Sequence, residues 1–344
     1  MPFINISDPQ WEQLLNIISH DFYHLPSYCK LEAEVLEGKP LAWVNNIEGY
    51  DFIIPLVERL IRSNGDLEKD LVSPYGYPGI LYDENTPKEI YLEALKRFQD
   101  EAANMSYISS FIRLHPIYNT FQVVGLSNIT QHYHGPTVSI NLNLPLAVLR
   151  KSYSQNHKRN IKSLLNDAYQ IEVNNWDSLD AFIDLYLQTM QRKHAQKRYF
   201  FSHDYFHQLK KLMGNSLILI CINDKDGKIA SGGLFSLFNG LAQFHLGGTS
   251  ESSVNQSPSK LMIDAAIEAC KLKGAHTLHL GGGYGSSNTD GLFRFKSGFG
   301  SQLHKFSTLR FIHLPDKYRH LINYNSSINN EPVNYFPEYR FLES

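Results

Sequence analysis

The chain has 344 residues, 42% hydrophobic and 19% charged, which is the composition of a globular protein rather than a disordered, collagenous or coiled-coil one. Its length suggests two domains, because one domain usually takes about 100–200 residues. The net charge is only −2, but residues 1–150 hold 18 acidic and 10 basic residues, whereas residues 151–344 hold 16 acidic and 22 basic ones. The positive second half predicts an anionic ligand such as a phosphate, a nucleotide or tRNA; the alternative is a set of solvated basic faces.

The cysteines and the N-terminal residues indicate in which cellular compartment the protein is expected. Cys29, Cys221 and Cys270 are far apart and outside any CxxC motif, which argues against a disulfide framework or a cysteine zinc site. The first residues lack a basic stretch followed by an apolar one, and the longest apolar runs are too short to span a bilayer. We therefore predict a cytoplasmic protein without a transmembrane segment.

The first half alternates helix and strand patterns. Asp8 is a helix-capping residue type and Pro9 suits a first helical turn, and Thr86 with Pro87 precedes a second helical stretch. The patterns predict helices over 9–20 and 88–104, strands over 42–44, 50–56, 107–114 and 138–144, and a strand with a loop over 71–82.

The second half opens with a basic helical segment over 151–167. Apolar residues at helical spacing predict a long helix over 176–196, and Asn239-Gly240 is a hairpin turn signal between two strands. Further helices are predicted over 202–213, 259–273 and 291–297, and strands over 170–174, 217–222, 229–238, 241–248, 275–280 and 305–312.

The two halves show an internal repeat in the order of their elements. Thr86-Pro87, a helix and a strand in the first half match Ser257-Pro258, a helix and a strand in the second. Such a repeat suggests two similar α/β domains that arose by duplication.

Several common sites are absent from the sequence. There is no GxSxG elbow, no P-loop and no GxGxxG motif, which argues against a hydrolase, a P-loop nucleotide site and a dinucleotide site. His132 and His134 lie close together, but no third ligand at metal-binding spacing accompanies them. The sequence therefore predicts no metal site.

The run LHLGGGYGSSNTDGLFRFKSGFG at 278–300 carries the strongest local signal. A strand ends in Gly281, Gly282 and Gly283, which let another group approach the backbone closely, and a polar loop follows.

The same run continues into a short helix that Asp290 can cap. This helix carries Arg294 and Lys296 between phenylalanines, which would hold the cationic groups in a fixed place. A fixed lysine beside a cleft can neutralise a diphosphate or a developing oxyanion. The alternative is that the phenylalanines are core residues and the two cations extend along them to solvent.

The order of elements in the second half resembles that of GNAT-type acyltransferases, and short motifs resemble the Fem-type aminoacyltransferases of that superfamily. The matching motifs are FHLGGTSESSVNQSPSKLM, LHLGGG, GLFRFKSGFG, SPYGYPG, SFIRLHP and KRNIKSL. The coiled-coil arm of some members is missing, and so is the pyrophosphate loop of ordinary acetyl-CoA enzymes.

The resemblance implies an α/β (α+β) fold of two GNAT-like domains in tandem, each a mixed twisted sheet flanked by helices. We expect the domains at 1–147 and 148–314, with residues 315–344 able to pack back on the first. It also implies direct transfer of an acyl or aminoacyl group to an amine or hydroxyl of a cell-envelope, peptidoglycan-type or nucleotide-linked acceptor.

The expected co-substrate is aminoacyl-tRNA, acyl-CoA or acyl-carrier protein, with no tightly bound cofactor. The expected partners are this donor, with tRNA one option, and a phosphate-bearing or glycan acceptor. Contact with a membrane surface stays open. The alternative is a non-catalytic protein that binds a nucleotide-linked glycan or tRNA on the same duplicated fold.

The resemblance assigns candidate site residues. Lys296 matches the functional lysine of the family. The reaction itself needs a base, for which the polar residues Asp290, His245 and His279 are candidates; a histidine in an alternating strand, such as His279, is more typical of the core. Backbone N–H groups over 246–249 are further oxyanion donors. The candidate substrate-binding residues are Tyr75, Tyr77, Arg192, Arg198, Tyr199, Gly281, Gly282, Gly283 and Arg294. The candidate donor-binding residues, at the start of a helix whose N-terminal amides suit an anion, are Ser257, Ser259 and Lys260.

Overall fold

The structure is a computed structural model that describes residues 2–63, 66–119, 121–283, 290–300, 302–326 and 335–343. The chain divides into two compact units: unit 1 comprises residues 1–134 and 306–344, and unit 2 comprises residues 135–305. The polar loop predicted after Gly283 lies outside the described residues. Among the described helices, none combines the length and apolar character that a bilayer crossing requires.

Unit 1 contains a mixed sheet with the strand order β1-β2-β3-β4-β6-β13, and β5 pairs with β3. Its strands are β1 (Phe3–Asn5), β2 (Lys39–Ile47), β3 (Tyr50–Ser63), β4 (Asp66–Val72), β5 (Leu81–Tyr82), β6 (Tyr107–Arg113), the start of β7 (Ile129–Asn141) and the end of β13 (Gln302–Ile312). Its helices are α1 (Pro9–Leu15), α2 (Pro26–Val35), α3 (Lys88–Asn104) and α10 (Pro315–Ser326).

The core of unit 1 forms where α3 covers one face of the sheet. Tyr91, Leu95, Phe98 and Ala102 recur at helical spacing along α3, and all four are buried. Because they share one face of the helix, they join the strand side chains in one apolar cluster, in which Trp43 meets Phe98 edge to face.

In unit 2 the sheet strands follow the order β7-β12-β11-β10-β9-β8 and are also of mixed direction. Its strands are the end of β7, β8 (Gln170–Val173), β9 (Leu217–Asn223), β10 (Ile229–Phe238), β11 (Leu241–Thr249), β12 (Thr277–Gly282) and the start of β13. Its helices are α4 (Leu146–Ser152), α5 (Gln155–Asn166), α6 (Leu179–Arg192), α7 (His203–Met213), α8 (Ser259–Leu272) and α9 (Gly291–Ser297).

Helices α6 and α8 cover opposite faces of the unit 2 sheet. A Cβ atom added to Gly232 would meet Phe182 of α6, whereas one added to the next residue, Gly233, would meet Met262 of α8. Successive residues of a strand point to opposite faces, so the two glycines let the two helices approach from the two sides.

The two units repeat one topology. In unit 1, antiparallel β2, β3 and β4 are followed by α3 and by β6, which is parallel to β4. In unit 2, antiparallel β9, β10 and β11 are followed by α8 and by β12, which is parallel to β11. The order of elements that suggested a duplication in the sequence is thus present in both units.

Some element boundaries differ from the prediction. The first helix ends at Leu15 rather than at residue 20, and the long helix predicted over 176–196 is a 3-10 turn followed by α6. The basic segment over 151–167 forms two helices, because Ser154 begins α5 by accepting a hydrogen bond from the His157 amide at 3.2 Å. The helix α2 was not predicted.

The unit boundaries fall within strands. The chain passes from unit 1 to unit 2 inside β7 and returns inside β13. The domain limits expected at 147/148 and 314/315 stay a prediction. Residues 335–343 belong to unit 1, where Arg340 binds Asp70.

Candidate active site

The unit 2 sheet contains a gap between β11 and β12. The two strands are paired only where Leu241–Gln243 lies beside Thr277–His279. Beyond that point β11 stays paired with β10 as far as Thr249, so its other edge faces the gap. Backbone N–H and C=O groups alternate between the two edges of a strand, so some of those over 244–249 point into the gap.

Both strands carry a bulge where they part. The register between β10 and β11 shifts so that His245 has no residue opposite it, and the register between β12 and β7 shifts at Leu280. Gly281, which follows the second bulge, has φ of 76°, a conformation that favours glycine. Bulges bend strands and leave ladder groups unpaired, so these two keep the gap open.

The amine of Lys296 lies in this gap. Its Nζ donates a hydrogen bond to the Gly282 carbonyl of β12 at 2.8 Å and lies 5.8 Å from the centre of the Phe244 ring of β11. The residue is 8% exposed. An ammonium has three N–H donors, so among the described residues two remain beside the one that binds Gly282.

The environment of Lys296 changes its acidity. Burial lowers the pKa of the amine to about 8, and the negative charge of Asp290 partly opposes that change. The amine is therefore mainly protonated at neutral pH and close to its titration range, which is typical of functional groups.

Two contacts hold α9, which carries Lys296. Asp290 caps the helix by accepting a hydrogen bond from the Phe293 amide at 2.8 Å, and the Gly283 backbone packs against the Asp290 carboxyl group. At the other end of α9, His157 of α5 contacts the Phe295 carbonyl through Nε2 at 2.9 Å. Asp290, Gly282, Gly283 and Lys296 thus meet at one place in unit 2.

The two histidines weighed as bases lie on neighbouring strands. His279 is fully buried between Gln243, 2.6 Å from its Nδ1, and Thr137, 2.8 Å from its Nε2. His245 is buried with its Nε2 3.5 Å from the Tyr205 hydroxyl. His279 therefore sits at the point where the strands part, in the position of a core histidine.

The basic and aromatic candidates of the second half are spread along α6 and the segment after it. Arg192 donates to the Thr249 carbonyl at the end of β11 at 2.7 Å. The Arg198 guanidinium stacks on the Tyr199 ring at 5.4 Å, and the Tyr199 carbonyl accepts a hydrogen bond from Tyr186 at 2.8 Å. Arg192 therefore ties α6 to the sheet, whereas the Arg198 side chain is exposed.

The donor-binding candidates lie at the start of α8. Ser257 adopts a left-handed conformation with φ of 59°, and the Ser259 hydroxyl is 2.7 Å from that of Thr249. The Lys260 amine is buried and donates to Asn160 of α5 at 2.8 Å. Burial lowers the pKa of Lys260, and the positive charge of Arg159 adds to this effect.

The other candidates lie on α9 and in unit 1. Arg294 is exposed on α9. Tyr75 and Tyr77 belong to unit 1, where the Tyr75 amide donates to Glu32 at 3.1 Å and the Tyr77 ring packs edge to face on Phe306. The described residues contain no group of histidine, cysteine and carboxylate side chains arranged to hold a metal ion.

The structure adds two residues that sequence reasoning missed. Phe244 lines the gap, and His157 holds α9. The sequence contained a signal for His157, because Ser154 and His157 have the three-residue spacing of a helix cap. For Phe244 there was no signal, since a phenylalanine in a strand is ordinary core composition.

Residues 151–297 match the sequence family described as an acetyltransferase (GNAT) domain. This part of the chain is a GNAT-type acyltransferase domain. It contains Lys296, both strands of the gap and the helices that position them. The expected acyltransferase class is thereby confirmed.

The GNAT-type fold extends over the whole chain. The crystal structure of FemX is similar with a TM-score of 0.65 and 13% identity, covering 94% of this chain and 100% of that one. The C-terminal domain of a putative lysylphosphatidylglycerol synthetase from Agrobacterium fabrum is similar with a TM-score of 0.52 and 14% identity, covering 90% of this chain and 93% of that one. L-PGS from Bacillus licheniformis is similar with a TM-score of 0.52 and 12% identity, covering 91% of this chain and 95% of that one. These similarities confirm the predicted α/β, Fem-type double-GNAT fold; no curated protein sequence matches the chain.

Proposed function

We propose that the protein transfers an acyl or aminoacyl group from aminoacyl-tRNA or an acyl thioester to an amine or hydroxyl of a cell-envelope or nucleotide-linked acceptor. The observation that carries this proposal is the buried amine of Lys296 in the gap between β11 and β12. Acyl transfer in general rests on the GNAT domain match; the donor and acceptor classes are the proposal.

The gap suits direct attack on a carbonyl. The acceptor nitrogen or oxygen would form a bond to the carbonyl carbon, and the carbonyl oxygen would become an oxyanion. The N–H groups of Lys296 and of the β11 edge that faces the gap can stabilise that charge, and one such donor contributes about 2.7–4 kcal/mol. The tetrahedral intermediate then breaks its bond to the leaving group and releases the thiolate or the tRNA alkoxide, which takes up a proton, while the acceptor loses one.

Among the candidate bases, Asp290 is the one whose charge acts on Lys296, because it raises the pKa of the amine. One of its oxygens accepts the Phe293 amide, which leaves the second oxygen able to accept a proton from the acceptor. We assign Asp290 the roles of helix cap and candidate base.

The charge of the second half of the chain supports an anionic donor or acceptor. Residues 151–344 carry 22 basic and 16 acidic residues, and such an excess attracts phosphate-bearing substrates. The name of one structural neighbour, a putative lysylphosphatidylglycerol synthetase, points to aminoacylation of a lipid headgroup by that protein. A comparable transfer here would bring the protein into contact with a membrane surface.

We expect Lys296→Ala to lower kcat/KM for acyl transfer about 10–150-fold, because it removes a charge-assisted hydrogen bond that contributes about 1.5–3 kcal/mol. The assay compares acetyl-CoA, acyl-carrier protein and aminoacyl-tRNA as donors, with product detected by mass spectrometry. The matched control is Lys273→Ala, which removes an exposed lysine of the same unit that also donates to a carbonyl, that of Asn215.

Two results would contradict the proposal. Unchanged turnover in Lys296→Ala would remove this lysine from the site. Absence of transfer from all three donor classes, with binding of a nucleotide-linked glycan or tRNA retained, would favour the non-catalytic alternative.

A further inference from the structure

The Phe244 side chain lies at the place where the gap begins. It follows Gln243, the last residue of β11 paired with β12. Its ring stacks on Phe235 with centres 5.0 Å apart and planes 22° apart, and the Lys296 amine is 5.8 Å from its centre. The ring is only partly buried against the core cluster and lies beside the Lys296 amine, which places it at the side of the gap.

Two glycines make room for this ring. A Cβ atom added to Gly247 would lie 2.6 Å from Cζ of Phe244. One added to Gly233 would lie 3.2 Å from Cε2 of the ring and 2.9 Å from the Met262 sulfur. The ring therefore fills a space over β10 and β11 that larger side chains would otherwise occupy, on the same face of the sheet as α8.

The position of the ring limits what can lie beside Lys296. A carbonyl oxygen hydrogen-bonded to the amine takes up roughly 3 Å, about half of the 5.8 Å between the amine and the ring centre. An acyl chain that extends from this carbonyl toward β11 meets the ring after a few atoms. A longer or bulkier chain would have to displace a ring that is stacked on Phe235.

We infer that Phe244 determines the size of the transferred group and restricts it to a small one, such as an acetyl, glycyl or alanyl group. This inference rests on the proposed function and names the acyl class that the same site accepts. Without the ring, Gly233, Gly247 and Met262 would line an apolar hollow that a longer chain could fill.

The experiment measures kcat/KM for two donor series. One series is acetyl-, butyryl-, hexanoyl- and octanoyl-CoA, and the other is tRNA charged with glycine, alanine, leucine or phenylalanine. Both are tested on the wild-type protein, Phe244→Leu and Phe244→Ala. Phe200→Ala is the matched control, because Phe200 is in the same unit and 42% exposed.

We expect the wild-type protein to favour the smallest donor of whichever series it uses. In Phe244→Ala the ratio of kcat/KM for the hexanoyl or leucyl donor to that for the smallest donor should rise about tenfold or more, since one methylene group in an apolar pocket changes selectivity about 10–200-fold. Phe244→Leu should give an intermediate ratio, and Phe200→Ala the wild-type ratio. Circular dichroism checks folding, and Phe244→Leu carries the test if Phe244→Ala does not fold.

The outcomes separate the inference from the proposed function. A wild-type protein that uses large and small donors equally well, or folded Phe244 variants that keep the wild-type ratio, would overturn the size limit while leaving acyl transfer intact. A wild-type protein that uses neither series would overturn the proposed function, and the size limit with it.

Discussion

Lys296 is an ammonium in a place where water cannot reach most of it. Burial lowers its pKa to about 8, so small changes of pH above neutrality change its charge. Both forms can donate to the Gly282 carbonyl, but only the charged form adds the positive charge that stabilises an oxyanion.

The pH dependence of transfer should follow this titration. The charged form prevails below the pKa, so we expect kcat/KM to fall as pH rises through about 8. The measurement is a pH profile of kcat/KM for the wild-type protein and for Lys296→Ala, whose residual activity should lack that decline. An activity that instead rises through this range would assign Lys296 the role of a base.

His157 acts on Lys296 through α9. The Phe295 carbonyl can only accept a hydrogen bond, so Nε2 of His157 carries the proton, and Nδ1 accepts from the Ser154 hydroxyl at 2.9 Å. Burial lowers the pKa of His157, which keeps the ring neutral at neutral pH. We regard His157 as a positioning residue.

Replacement of His157 should therefore change the chemical step. We expect His157→Leu to lower kcat roughly tenfold with little change in KM, because small displacements of a catalytic group can cost up to about a hundredfold. The decline of activity near pH 8 should also move to higher pH as water reaches the Lys296 amine. The amide of His157→Gln can replace the Nε2 donor, so this variant should keep most of the wild-type kcat and most of the wild-type pH profile. A variant with lower stability but an unchanged pH profile would show a purely structural role.

At the scale of elements, α9 depends on the contact of Gly283 with its cap. A Cβ atom at residue 283 would overlap the Asp290 carboxyl group, which would have to leave the Phe293 amide. We expect Gly283→Ala to destabilise the protein by about 0.5–2 kcal/mol, the usual contribution of a helix cap, and to lower kcat. Urea unfolding and initial rates measure the two effects.

The control for this change is Gly291→Ala in the first turn of the same helix. A Cβ atom there meets nothing within 4 Å, and alanine favours a helix over glycine by about 1 kcal/mol. Equal effects of the two substitutions would contradict the role of the cap.

Local chemistry explains why some elements could be predicted and others could not. The bounds of α3 and α9 match their predictions, because a cap residue or proline marks each start and apolar residues repeat along each helix. The split of β11 from β12 has no such signal. It depends on a bulge at His245, where the register between β11 and β10 shifts. A bulge involves residues of two strands, so the sequence of one strand does not show it.

At the scale of the molecule, a buried cluster joins the end of the chain to unit 1. The Asp70 carboxylate is fully buried and binds Arg59 through two bonds of 3.0 Å, Arg340 at 2.6 and 3.1 Å, and the Tyr339 hydroxyl at 2.9 Å. Two guanidinium groups thus surround one carboxylate, and residues 335–343 are held to β3 and β4.

We expect Asp70→Asn to destabilise unit 1 by about 3–5 kcal/mol, because it leaves buried positive charge without its partner. Urea unfolding measures the change. Arg319→Met, which breaks an exposed pair with Asp316, should cost less than about 1 kcal/mol. A similar loss in both variants would mean that the buried cluster contributes no more than a surface pair.

Periodicity and helix caps, which act over a few neighbouring residues, were enough to predict the order of elements in each half. The tandem GNAT-like fold and the candidate role of Lys296 came from the resemblance of short motifs to the Fem-type family. Only the folded structure shows the contacts of this lysine: its bond to Gly282, the Phe244 ring that faces it and the support of α9 by His157 from another helix. It also placed the two changes of unit inside β7 and β13, where no linker composition marks them. These contacts join residues far apart in the chain, and their energies depend on burial and distance, which exist only once the chain is folded.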